Sequence, residues 1–109
     1  MKEELVVVFI TASSTQEAQT VADVLLEAHL AACASIIPKT SSHYWWQGEI
    51  KSAAEALLMI KTRAVLLDAI IKSVKERHSY DVPEVIAIPI VGGSAEYLKW
   101  VENETEHKP

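Results

Sequence analysis

The stretch ACASIIPKTSSHYWWQGEIKSAAEALLMIKT, Ala32 to Thr62, decides the fold. Its two ends, Ala32 to Ile37 and Ala56 to Thr62, read as strands bounded by turn residues. Pro38 closes the first of them. Thr40 to His43 is polar, Tyr44-Trp45-Trp46 is strand-like again, and Gln47-Gly48-Glu49 makes a turn. The stretch is therefore two long antiparallel strands joined at an aromatic hairpin. Side chains alternate along a strand, so Tyr44 and Trp46 take one face and Trp45 the other.

Outward from this pair, each flank supplies one strand and one helix. Upstream, Leu5 to Thr11 is a continuous β-branched and aromatic run, the pattern of a strand buried on both faces. Ser14 with Glu17 three residues on fits a capping box, in which the hydroxyl takes an orphan amide and the carboxylate reaches back. Ala18, Val21, Ala22, Leu25 and Ala28 then recur at helical spacing, and this helix ends near His29-Leu30. Downstream, Arg63 to His78 is a second helix with Thr62 as its cap. Leu66, Ile70, Ser73, Val74 and Arg77 form its inward stripe, with Ala69 beside it. Val85 to Val91 is a fourth strand. Pro89 cannot donate to a ladder, so this strand is an edge or carries a bulge there. Gly92-Gly93 turns the chain. Ser94 caps a short last helix bearing Tyr97, Leu98, Trp100 and Val101, and Glu104 to Pro109 read as a loose tail.

The order is β-α-β-β-α-β plus one helix, the split βαβ or ferredoxin-like arrangement of the α+β class. Right-handed crossovers put both main helices on one face of a four-stranded antiparallel sheet. The strands are apolar on both sides, so the other face needs cover as well. One short helix is too little, and a neighbouring subunit is the natural cover. Composition agrees: 50% of the 109 residues are hydrophobic, much for a single small domain to hide.

Charge and composition exclude several functions. Asp and Glu number 15 against 10 Lys and Arg, a net charge of −5. Nucleic acid and anionic membrane surfaces both ask for a basic stripe, so neither is an expected partner. The apolar stretches fall far short of the ~20 residues a membrane-spanning helix needs. Met1-Lys2-Glu3-Glu4 runs directly into a strand, without the pattern of a signal peptide, and the expectation is a cytoplasmic protein. No P-loop, Gly-x-Ser-x-Gly elbow or Gly-rich dinucleotide fingerprint occurs. An acylphosphatase-like site needs an Arg in an anion-cradling loop after the first strand, and Ala12-Ser13-Ser14-Thr15 has neither Arg nor Gly. Cys33, the one cysteine, sits between alanines in a strand and reads as a small buried hydrophobe.

The histidines are His29, His43, His78 and His107, none with the i, i+4 pairing of a helical zinc site. His78 converges with Glu84 if the loop between them doubles back. An imidazole with a carboxylate suits Cu(II), Zn(II) or Ni(II). The competing reading is that His78 terminates a helix dipole and Glu84 opens a strand. Lys61-Thr62-Arg63, at the start of the second helix, is a candidate contact for a small anion. Tyr44-Trp45-Trp46 exceeds what the hairpin can bury itself, which marks a core edge, a subunit interface or a stacking site.

Leu30-Ala31-Ala32-Cys33-Ala34, Ile37-Pro38, Ser42-x-Tyr44-x-Trp46-x-Gly48, Met59-Ile60-Lys61-Thr62, His78-x-Tyr80-x-x-Pro83-Glu84 and Tyr97-Leu98-x-Trp100 occur in this order over nearly the whole chain. Together they resemble the CutA family of divalent-cation tolerance proteins. The resemblance implies a ferredoxin-like subunit in a tight homotrimer, with Tyr44, Trp45, Trp46 and Trp100 as interface candidates. It implies a link to tolerance of copper and other divalent cations. It implies no established enzymatic activity and no required cofactor. The family's trimer is similar to that of the PII signalling proteins, which suggests ligand sensing at clefts between subunits. Carried over by position, Cys33, Trp46, Lys61, His78, Tyr80, Pro83, Glu84, Tyr97 and Trp100 fall on family motif positions. His78 and Glu84 are the metal candidates, for Cu2+ or another divalent cation. Lys61, Tyr80 and Trp46 are the candidates to line the same cleft. The chain departs from the family at Ser79, where the family usually has Pro. It departs again near Ile10, where some bacterial members have a cysteine linked to copper. A copper site built on that thiolate has no ligand here.

Overall fold

A computed structural model of the chain describes residues 4–106. The strands are β1 (Leu5–Ala12), β2 (Cys33–Trp46), β3 (Glu49–Arg63) and β4 (Val85–Pro89), and the helices are α1 (Thr15–Glu27), α2 (Leu67–Arg77) and α3 (Ala95–Thr105). The sheet is antiparallel in the order β2-β3-β1-β4. This is the expected ferredoxin-like α+β subunit.

Alternation along β1 and β3 builds the core. Val6, Val8, Ile10 and Ala12 share a face with Ala56, Leu58 and Ile60, and α1 and α2 close it with Ala18, Val21, Ala22, Leu25, Ile70 and Val74. The first helix starts as expected: the Ser14 hydroxyl accepts from the Glu17 N–H at 3.0 Å. The carboxylate of Glu17 reaches back one residue further, to the N–H of Ser13 at 2.9 Å. Ala28 is the exposed C-cap and adds nothing to the buried stripe.

The long strands are longer than their apolar segments. β2 runs on through Pro38 for 14 residues and β3 for 15, starting seven residues before Ala56 at Glu49. A bulge between Ile37 and Thr40 absorbs the missing Pro38 donor. It also changes parity. Cys33, Ser35 and Ile37 oppose Lys61, Met59 and Leu57, whereas Ser42, Tyr44 and Trp46 oppose Ala53, Lys51 and Glu49. The extra residue thus keeps the even-numbered aromatic side chains on the face away from α1 and α2. Gln47 and Gly48, at φ 51° and 82°, make the two-residue hairpin loop, whose twist matches the strands. The hairpin stretches the subunit to 45 Å in its long direction.

Three local expectations change. Thr62 does not cap α2; it stays in β3, and its hydroxyl donates to the Leu30 carbonyl at 2.6 Å. A single 3-10 turn, Ala64–Leu66, separates it from α2, and Ala69 and Arg77 are exposed. β4 is the edge strand that Pro89 requires, and it ends there; Ile90 still donates to the Leu5 carbonyl at 2.9 Å. Glu104 and Thr105 are not a tail but the last turn of α3. Thr105 is buried, and the Arg63 guanidinium donates to its hydroxyl at 3.1 Å and to its carbonyl at 2.6 Å. Residues 107–109, including His107, lie outside the described residues.

α3 fastens against one end of the second sheet face. The rest of that face is open. Trp45 and Ile50, paired across the hairpin, are 71% and 65% exposed on its opposite face; on the open face, Ile86 and Ile88 of β4 are 52% and 50% exposed. Cys33 is half-buried on this face, not fully enclosed.

Candidate functional site

A cleft of about 620 Å³ lies over the end of the sheet away from α3. Register explains its lining. Thr11 closes β1, Glu55 sits on the same face of β3, and Ser42, Tyr44 and Trp46 follow on β2 past the bulge. His43 borders it too, but its side chain alternates to the other face of β2. The loop after α2 supplies Tyr80, Asp81 and Val82, and Glu84 enters just before β4.

Tyr80 and Glu55 form the floor. The Tyr80 hydroxyl donates to Glu55 Oε2 at 2.7 Å, and Glu55 is only 8% exposed. Burial pushes the Tyr80 phenol above its usual range, and the hydrogen bond to Glu55 and the Glu55 charge push it the same way. The phenol is therefore a fixed donor.

His78 places Tyr80. Its side chain is fully buried. Nε2 lies 2.6 Å from the Thr11 carbonyl, and Nδ1 lies 3.1 Å from the Tyr80 N–H. A carbonyl only accepts and an N–H only donates, so the ring is neutral with its proton on Nε2. The ring also stacks on Tyr80 at 4.7 Å. Glu17 completes the tie by accepting from the Ser79 N–H at 3.0 Å. Burial works to raise the Glu17 carboxyl, but the hydrogen bonds from Ser13 and Ser79 outweigh it and hold the group below its ordinary 4.5. These contacts fix the loop although Ser79 stands where a Pro would have stiffened it.

The expected site residues thus separate. Glu84, Tyr80 and Trp46 line the cleft. His78 does not join Glu84 as a ligand, because both ring nitrogens are occupied inside the protein. Lys61 is not in the cleft; it lies six residues from Glu55 along β3, about 20 Å of strand, and donates to Ser35 Oγ at 3.3 Å. Tyr44 and Trp46 face the cleft, while Trp45 points to the other side of the hairpin. Trp100 is 42% exposed on α3, with Tyr97 at 5.5 Å from it. Sequence reasoning missed Glu55 and Asp81. Glu55 carried one signal, a lone carboxylate in an otherwise apolar strand segment.

The chemistry of the cleft is cationic recognition. Glu55, Asp81 and Glu84 line it, and no Lys or Arg does. The His43 imidazole points away from it, with Nε2 at 3.1 Å from Ser41 Oγ on the opposite face of β2. Among the described residues no three His, Cys, Asp or Glu side chains are grouped closely enough to hold a metal ion.

A family model described as CutA1 divalent ion tolerance protein matches residues 6–104. The rice protein CutA 1, chloroplastic, is 47% identical over 100 residues, which make up 92% of this chain and 56% of that protein. The chain thus spans little more than half the length of that relative. The divalent-cation tolerance protein CutA of Thermus thermophilus is 43% identical over 91% of this chain and 96% of its own length. The crystal structure of CutA1 from Oryza sativa superposes with a TM-score of 0.93 at 44% identity, covering 97% of each chain. The periplasmic divalent cation tolerance protein CutA from Archaeoglobus fulgidus gives 0.91 at 39% identity, covering 94% of this chain and 99% of that one. Among the described residues no helix is long and apolar enough to cross a membrane.

Proposed function

This chain belongs to the CutA1 divalent ion tolerance family, and from that membership we propose that it acts in divalent-cation tolerance as a homotrimer. Binding of copper or another divalent cation takes place at the acidic cleft. Asp81 and Glu84 are the first contacts, and Glu55 adds negative field. The carrying observation is the charge of the lining, three carboxylates with no basic side chain. Carboxylate oxygens are hard donors, which bind Cu(II), Ni(II) or Zn(II) less tightly than an imidazole would. One chain groups too few ligands, so neighbouring subunits or water complete the coordination.

The trimer is supported by the open apolar face. Ile86 and Ile88 on that face are each at least half exposed in one chain, and Trp45 and Ile50 leave a second apolar patch on the other face of the hairpin. Exposed apolar surface of this kind marks an interface. The hairpin serves both roles, with Trp45 and Ile50 toward a neighbour and Tyr44 and Trp46 toward the cleft. A cytoplasmic location is part of this reading and fits the single free thiol, Cys33. No catalytic step belongs to it.

The test is calorimetric titration of Cu(II), Ni(II) and Zn(II), with the mass in solution measured alongside. The expected mass is three times the 12.0 kDa chain. The expected affinity falls in both Asp81→Asn and Glu84→Gln. A second reading, a binding or signalling module for a small ligand, is favoured by the volume and aromatic walls of the cleft, about 620 Å³.

A further inference from the structure

We propose that the cleft binds a small organic ammonium ion, with methylated ammonium as the preferred head group. The inference rests on the second reading above, that the cleft holds a small ligand, and names the ligand's chemical class. Two features of the cleft carry it together. Tyr44, Trp46 and Tyr80 line it with aromatic surface, and Glu55, Asp81 and Glu84 line it with negative charge. Aromatic faces attract cations through the ring quadrupole, and this attraction needs no lone pair and no fixed ligand count.

The placement of the carboxylates decides between cation types. A divalent metal surrenders its water only to several donors gathered around one point, and no three such side chains are gathered here among the described residues. A methylated ammonium ion is weakly hydrated and spreads its charge over its outer carbons. Separated carboxylates and flat rings satisfy it without converging. The floor is prepared for this. Glu55 is buried with its Oε2 held by the Tyr80 hydroxyl, so its charge is fixed in place beneath the rings. Lys51, opposite Tyr44 on the same face, is paired with Glu49 at 3.1 Å, which offsets its charge. An anion finds no partner in the lining, which turns the expected anion site at Lys61 away from this cleft.

Choline and its uncharged isostere 3,3-dimethylbutan-1-ol, titrated into the full chain in its natural assembly, provide the test. The two probes share one shape and differ in charge. Choline is expected to saturate, with the isostere weaker by about tenfold or more. Trp46→Ala and Glu84→Gln are each expected to weaken choline by about tenfold while circular dichroism stays unchanged. Equal binding of the two probes, absence of saturable choline binding, or undiminished binding in both variants overturns the proposal. If a variant fails to fold, the comparison of probes on the natural protein decides alone. Cu(II) and a panel of phosphates, nucleotides and carboxylates, run on the same samples, separate the readings. Saturable binding of an anion with none of choline leaves the small-ligand module standing and removes the ammonium ion. Cu(II) binding that ignores Trp46→Ala leaves the metal reading standing without it.

Discussion

Tyr80, in the loop after α2, donates its hydroxyl to Glu55 of β3 across 2.7 Å, joining two segments 25 residues apart. The contact closes the floor of the cleft and satisfies a buried carboxylate. It depends on His78, which anchors the loop to the end of β1.

Tyr80→Phe leaves the Glu55 carboxylate buried without this donor. Leaving a buried polar group unpaired costs about 1–3 kcal/mol. The expected result is a loss of that size in denaturant unfolding, with the slope unchanged. Glu55→Gln retains an acceptor oxygen and should cost less. A Tyr80→Phe variant as stable as the natural protein would show that the bond contributes nothing net.

Alkaline pH should destabilise the protein through the same phenol. Burial, then the Glu55 hydrogen bond and charge, raise Tyr80 above its ordinary 10.0. A group raised on folding contributes stability that is complete below its unfolded value and lost as pH rises toward the folded one. Stability should therefore start to fall as pH passes 10.0, and less steeply in Tyr80→Phe. Absorbance of tyrosinate should show two phenols, Tyr80 and Tyr97, still protonated where free tyrosine has ionised, and one of them lost in Tyr80→Phe.

Acid acts through Glu17. Burial raises its carboxyl, but the hydrogen bonds from Ser13 and Ser79 prevail and hold it below 4.5. A group depressed on folding contributes stability above its unfolded value, and this is lost as pH falls through the folded value. Glu17→Gln should cost about 1 kcal/mol at neutral pH, the scale of a helix-capping contact. It should also flatten the loss of stability below pH 4.5. Identical acid unfolding curves would contradict this role.

His78→Ala removes the anchor and both of its hydrogen bonds. A cost of about 2–3 kcal/mol is expected, from two buried bonds and the lost ring packing. Hydrogen exchange should rise at the Tyr80 amide, which donates to His78 Nδ1. His43→Ala, at an exposed rim residue, should leave stability within about 0.5 kcal/mol. A destabilised His43→Ala with a fully stable His78→Ala would reverse the assignment of the two imidazoles.

The architecture was legible where periodicity was strong. Leu5 to Thr11, the α1 stripe and the helix starts at Ser14 and Ser94 carried their own signals. The β2–β3 hairpin was legible in kind but not in length. Its polar halves have no burial to announce them, and Pro38 disguised a bulge as a strand end. Half of the site was legible. Glu84, Tyr80 and Trp46 reach the cleft as expected. His78 looked like a ligand because its type and spacing allow it. Only the tertiary positions of the Thr11 carbonyl and the Tyr80 amide reveal that its nitrogens are spent. Glu55 escaped because the bulge, which sets its neighbours on that face, leaves no mark in the alternation.

Titration of Cu(II) into the natural protein, Asp81→Asn and Glu84→Gln, each with its mass measured in solution, tests the central claim most directly. The account predicts an assembly of three 12.0 kDa chains in all cases. It predicts saturable binding that weakens by about tenfold or more in each variant. A monomer, or full Cu(II) affinity in both variants, would contradict it.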